Sequence, residues 1–119
     1  MFKRDFNEIT RRARRTETIA AEGAATGRIR LGLYTLAGID FDSDFAGSAV
    51  TFQSSPDEGT TWNAVYTPDG TQVSLTVAAS RYVGIEDLQP LIGISDLKIV
   101  SGTAQGAGTP TTLTRHLAQ

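Results

Sequence analysis

The chain has 119 residues, a formal net charge of −2, no cysteine and a single histidine, which suits one domain with an appendage and excludes disulfides, thiolate metal centres and clusters of histidine ligands. No apolar run approaches the roughly 20 residues that span a bilayer, and residues 1–15 lack the apolar core of a secretory signal, so no membrane role is expected. Charge is divided along the chain: residues 1–30 carry eight basic and four acidic groups, and residues 31–119 carry three and nine.

Phe2, Phe6, Ile9 and Ala13 recur at helical spacing, with Lys3, Arg4, Arg11, Arg12 and Arg15 around the remaining surface. This predicts a basic amphipathic helix over 2–15, a first domain (1–15) that acts as an arm. Glu8 and Arg12 attract at helical spacing while Arg11 and Arg15 repel. A helix this short is marginal alone, so order is expected only where its apolar face meets a partner.

From Thr16 the apolar period changes to two, and turn residues recur at the spacing of an all-β sandwich or barrel. Strands are expected over 16–21, around Ile29, Leu31 and Leu33, and over 36–39, followed by one that turns Val50 and Phe52 inward. Further strands are expected over 62–66, 73–77, 81–85, 97–101 and 111–117. The predicted fold is an antiparallel β-sandwich of about eight strands, jelly-roll or Ig-like, occupying residues 16–119. Residues 101–110 are small and flexible, which predicts a mobile hairpin loop or a contact loop ordered by a neighbour.

Ser55, Asp57, Gly59, Thr61 and Trp62 fall in the pattern Ser-x-Asp-x-Gly-x-Thr-Trp between two strands. Asp57 can accept from amides two or more residues on, Gly59 tolerates positive φ, and Trp62 can fold back over the turn. The pattern resembles the Asp-box of sialidases and other propeller proteins, a repeated structural hairpin remote from their chemistry. Here it occurs once, so neither propeller nor enzyme is implied. Trp62 is expected in the core.

Residues 1–6 (Met-Phe-Lys-Arg-Asp-Phe), 49–55, 59–62, Tyr66 with the turn at Pro68, Asp69 and Gly70, 77–81 and 97–103 together resemble small structural proteins of tailed-phage virions. The resemblance implies a non-enzymatic virion component assembled in the host cytoplasm. The expected role is a capsid decoration or cement protein that docks on the major capsid protein, or on another virion structural protein, and stabilises the shell. Phe2, Lys3, Arg4, Phe6, Ile9, Arg11, Arg12 and Arg15 would form the protein-binding arm. Closed symmetry at capsid three-fold sites would accept a homotrimer. A head-fibre, head-tail or tail-associated role is the alternative within this class. Nucleic acid is not expected as a partner, because the acidic body would oppose it and the arm interleaves no stacking aromatics among its arginines.

Residues for catalysis are missing from the sequence: His116 stands alone near the C-terminus, and neither a nucleophile elbow nor a phosphate-binding loop occurs. Glu86 and Asp87 are neighbours that an extended chain turns apart. No cofactor is expected. Asp40, Asp42 and Asp44 form a weak calcium candidate, with Phe45 and Thr51 standing where an EF-hand loop needs Gly and Glu. A carbohydrate-binding module is the other functional class considered, with Trp62, Tyr66 and Tyr82 as its aromatic platform.

Overall fold

Strong β-alternation in the second half of the chain sets the architecture. The computed structural model describes residues 12–32, 34–106 and 111–118. Among the described residues there are nine strands: β1 (Arg12–Ile19), β2 (Ile29–Arg30), β3 (Thr35–Phe41), β4 (Ala49–Ser54), β5 (Asn63–Ala64), β6 (Ser74–Thr76), β7 (Arg81–Gly84), β8 (Asp96–Ser101) and β9 (Thr111–Ala118). One 3-10 turn, Gln89–Leu91, precedes β8. The strands form two antiparallel sheets, one ordered β1-β9-β3-β7 and the other β2-β8-β4-β5 with β6 also on β4. The all-β, sandwich-like expectation is met.

The alternation explains the core. Val50 and Phe52 on β4 face inward opposite Ser101 and Ile99 of β8, and Leu113 and Leu117 of β9 face the same interior from the first sheet. Leu36, Ile39 and Phe41 break the period of two, yet all three are buried. A bulge makes this possible: pairing shifts between Leu36 and Gly38, so Ala37 is the extra residue and the inward set is restored after it.

Several boundaries differ from expectation. The helix predicted over 2–15 is corrected over its last turn, because Arg12–Arg15 lie in β1, where Arg12 pairs with Ala118 and Arg15 with Arg115. β1 competes with the helix successfully because β9 offers eight residues of backbone partners to a segment whose isolated helix is marginal. Residues 2–11 lie outside the described residues. The strand around Ile29 is only two residues long, since Gly32 turns the chain at φ +61. The strand expected over 62–66 shrinks to Asn63–Ala64.

The small-residue stretch that follows Ser101 is pinned at Gln105. Gln105 is buried, and its Oε1 accepts the Ala46 N–H at 2.8 Å and the Thr111 hydroxyl at 3.0 Å. Its Nε2 donates to the carbonyls of Ala46 at 2.9 Å and Thr103 at 3.1 Å, and to Ser101 Oγ at 3.2 Å. One amide therefore joins three separate segments, and the loop needs no neighbour to order this half of it.

Candidate functional site

The polar hairpin between β4 and β5 is the most elaborately bonded feature that the sequence pointed to. Ser55 Oγ accepts the Gly59 N–H at 2.7 Å and donates to Asp57 Oδ1 at 2.8 Å. Asp57 Oδ1 in turn accepts the Thr61 N–H at 2.7 Å, and Trp62 Nε1 donates to the Gly59 carbonyl at 3.1 Å. The bond to the Thr61 amide is the largest of the causes that hold the Asp57 carboxyl below its ordinary value, with the Thr61 and Ser55 hydroxyls assisting. All five predicted residues are thus brought together, in a framework role. Gly59 sits at φ +100, a conformation that favours glycine, and a Cβ there would press on the Arg28 side chain at 3.2 Å.

Trp62 is not a core residue. It lies half-buried on the outer face of the second sheet, with Lys98 Nζ 4.7 Å above its ring. Its indole N–H, being a donor that needs a partner, is satisfied by the hairpin carbonyl instead of by the interior. Tyr82 stands on the other sheet, opposite Asp40, so the proposed platform of Trp62, Tyr66 and Tyr82 is not assembled on one face.

Beside the hairpin lies a shallow open depression of about 340 Å³ lined by Arg28, Arg30, Gly32, Glu58, Ser95 and Asp96. Arg28 Nε donates to Asp96 Oδ1 at 2.8 Å, and the Asp96 carbonyl accepts the Ser55 N–H at 3.2 Å. The pair fastens β2, β8 and the hairpin root together. Arg30 and Glu58 are left exposed, one charge of each sign at the rim of the hollow.

A second cluster was not foreseen. On the outer face of the first sheet, His116 Nε2 lies 2.8 Å from Asp40 Oδ2, and the half-exposed Tyr82 ring meets the imidazole edge-on at 5.0 Å between centroids. Tyr82 covers Gly38, where a Cβ would stand 2.1 Å from the tyrosine hydroxyl. An aromatic ring over a strand glycine restores packing that the missing side chain forfeits. The available signal was the pair of glycines, Gly38 and Gly84, which face each other across β3 and β7.

The remaining candidates are dispersed. Asp40 is engaged by His116, while Asp42 accepts the Thr112 N–H at 2.7 Å and the Asp44 N–H at 3.0 Å through its two oxygens. Among the described residues no group of three metal-ligating side chains converges. Of the arm residues, Arg12 and Arg15 belong to β1, whereas Phe2, Lys3, Arg4, Phe6, Ile9 and Arg11 lie outside the described residues. Among the described residues no helix is long and apolar enough to cross a membrane. No family model and no curated protein sequence matches the chain.

Proposed function

We propose that this chain is a non-enzymatic structural protein of a tailed-phage virion, a capsid decoration or cement protein that docks through its N-terminal segment, on a sandwich of jelly-roll or Ig-like type. The observation that supports it best is the register of β1. Arg12 is tied to Ala118 at the end of the first sheet, so the residues before it start from a fixed point on a rigid body. Phe2, Phe6 and Ile9, with Lys3, Arg4 and Arg11, then supply anchors and steering charge for an acidic protein surface.

The described polar clusters agree with a framework protein. The hairpin carboxylate, the Arg28–Asp96 pair and the His116–Asp40 pair each serve to fix neighbouring strands. Many copies on one shell would turn a modest single-site affinity into firm attachment.

The test removes residues 2–11 and leaves β1 whole. The truncated chain is expected to melt within about 2 °C of the full chain, as a surface change does, and to lose co-sedimentation with shells of the encoding phage that have been stripped of this protein. Undiminished shell occupancy by the truncated chain would overturn the docking role. Failure of the full chain to bind shells would overturn the virion reading itself.

A further inference from the structure

We propose that the outer face of the first sheet binds a saccharide, which stacks on Tyr82 and hydrogen-bonds through its hydroxyls to the row Asp40, Thr114 and Thr16.

Tyr82 is 52 % exposed, yet its ring does not stand off the strand. A Cβ at Gly38 would overlap the tyrosine hydroxyl and lie 2.8 Å from Cε1, while a Cβ at Gly84 would lie 3.7 Å from Cε2. The two edges of the ring therefore rest over two neighbouring strands, and one π-face is turned to solvent. Gly38 and Gly84 are partners across β3 and β7. Glycine weakens a strand and marks places where another group comes close to the backbone. One glycine would admit the hydroxyl end, and the second gives the whole ring a bed. The His116 imidazole meets the ring at 86° and steadies its remaining side.

Tyr82, Asp40, Thr114 and Thr16 are successive partners across β7, β3, β9 and β1. They form a straight row of outward side chains about 5 Å apart, close to the length of one sugar residue in a chain. The Asp40 side chain is 48 % exposed, and His116 Nε2, 2.8 Å from Oδ2, orients the carboxylate while leaving Oδ1 to accept from a ligand hydroxyl. The two threonine hydroxyls donate as well as accept. A pyranose offers what this row takes: an apolar C–H face for the ring and hydroxyls for the polar groups beside it. Strands, not loops, carry the row, so little order is lost when it is occupied.

Other occupants fit less well. The adjoining outer positions, Thr112 and Asp42, add polar groups and no aliphatic anchor of the kind that a protein interface buries. Two carboxylates on one face oppose the phosphates of a nucleic acid. The row lies wholly in the described strands, so the sugar site and the docking role of the N-terminal segment stand or fall separately.

The isotope-labelled full chain is titrated by NMR with cellohexaose, chitohexaose, mannohexaose and dextran, each to about 10 mM, which detects affinities down to the millimolar range. At least one is expected to shift the amide resonances of Asp40, Tyr82 and Thr114 together. Tyr82→Ala should weaken that binding about tenfold or more, as loss of an aromatic anchor does, whereas Tyr82→Phe, which keeps the stacking face, should bind like the parent. Gly38→Ala, which lifts the ring without removing it, should weaken binding as well. Tyr66→Ala, which removes the exposed tyrosine that follows β5 of the second sheet, should not. Far-UV circular dichroism confirms that each variant is folded. Silence with all four saccharides, shifts centred on the second sheet, or equal affinity in the parent and Tyr82→Ala would each overturn the proposal.

Discussion

Replacing Gln105 with leucine tests whether one buried amide holds the loop between β8 and β9. The side chain is 3 % exposed, and leucine of similar length removes all five of its hydrogen bonds while keeping the space filled. Water cannot easily reach the groups left behind, so the Ala46 N–H and the Thr111 hydroxyl each lose a partner at roughly 1–3 kcal/mol. Serine 101 and the two carbonyls keep other partners or relax toward solvent. Leucine returns about 1 kcal/mol through apolar burial, which leaves a net loss of about 1–5 kcal/mol. For a domain of this size that is a fall in Tm of about 4–20 °C. Urea unfolding followed by circular dichroism measures the free energy, and amide exchange at Ala46 locates it: exchange there should accelerate beyond the global change. Thr111→Val, which removes only one of the five bonds, should cost about 1 kcal/mol. A Gln105→Leu variant within 0.5 kcal/mol of the parent, an order of magnitude appropriate to surface substitutions, would refute the claim that this amide organises the loop.

Three further outcomes follow from the same geometry. Gly38→Ala places a methyl group where the Tyr82 hydroxyl lies, so the ring should swing off β3 at a cost of about 1 kcal/mol, and the His116 ring resonances should lose their aromatic shift in NMR spectra. Phe52→Ala, at a site 1 % exposed, should lose about 3–5 kcal/mol in urea unfolding. Asp57→Asn bears on pH. The Asp57 carboxyl is lowered in the fold, first by the Thr61 amide, so its contribution is complete above the ordinary carboxylate range and is lost as pH falls through the lowered value. Thermal melts between about pH 5 and about pH 2 should therefore fall less steeply in Asp57→Asn than in the parent, and parallel slopes would count against the hairpin bond.

Where the sequence carried a period or a turn signature, it was legible. Val50, Phe52, Leu97 and Ile99 alternate and are buried, and the turn at Pro68, Asp69 and Gly70 forms, with Asp69 accepting the Thr71 N–H at 3.1 Å. Ser55, Asp57, Gly59, Thr61 and Trp62 make the hairpin that their spacing indicated. Two kinds of feature were hidden. Residues 12–15 read equally as helix, because propensity is weak against a full-length strand partner more than ninety residues away in the chain. The pairing of His116 with Asp40 and the covering of Gly38 by Tyr82 depend on strand order, which no local window contains.

The basic residues at the start of the chain first suggested an appendage, and β1 gives part of them another task. Arg115 occupies an inward position of β9, with Nε 2.8 Å from Glu17 Oε2 at an angle too poor for a linear hydrogen bond, and with Nη1 buried without a partner among the described residues. Burial presses the guanidinium below its usual pKa, Glu17 opposes that shift, and Arg15 adds to it. Such a pair adds little net stability, since desolvation offsets the attraction. It does specify register. Sliding β1 by one residue would turn Glu17 outward and leave Arg115 buried without its carboxylate. The same slip would turn Thr16 and Thr18, which face Thr114 and Thr112, from the outer face to the inner. The charge pair and the threonine pairs therefore favour one and the same register, and that register fixes where Arg12 lies at the end of the sheet.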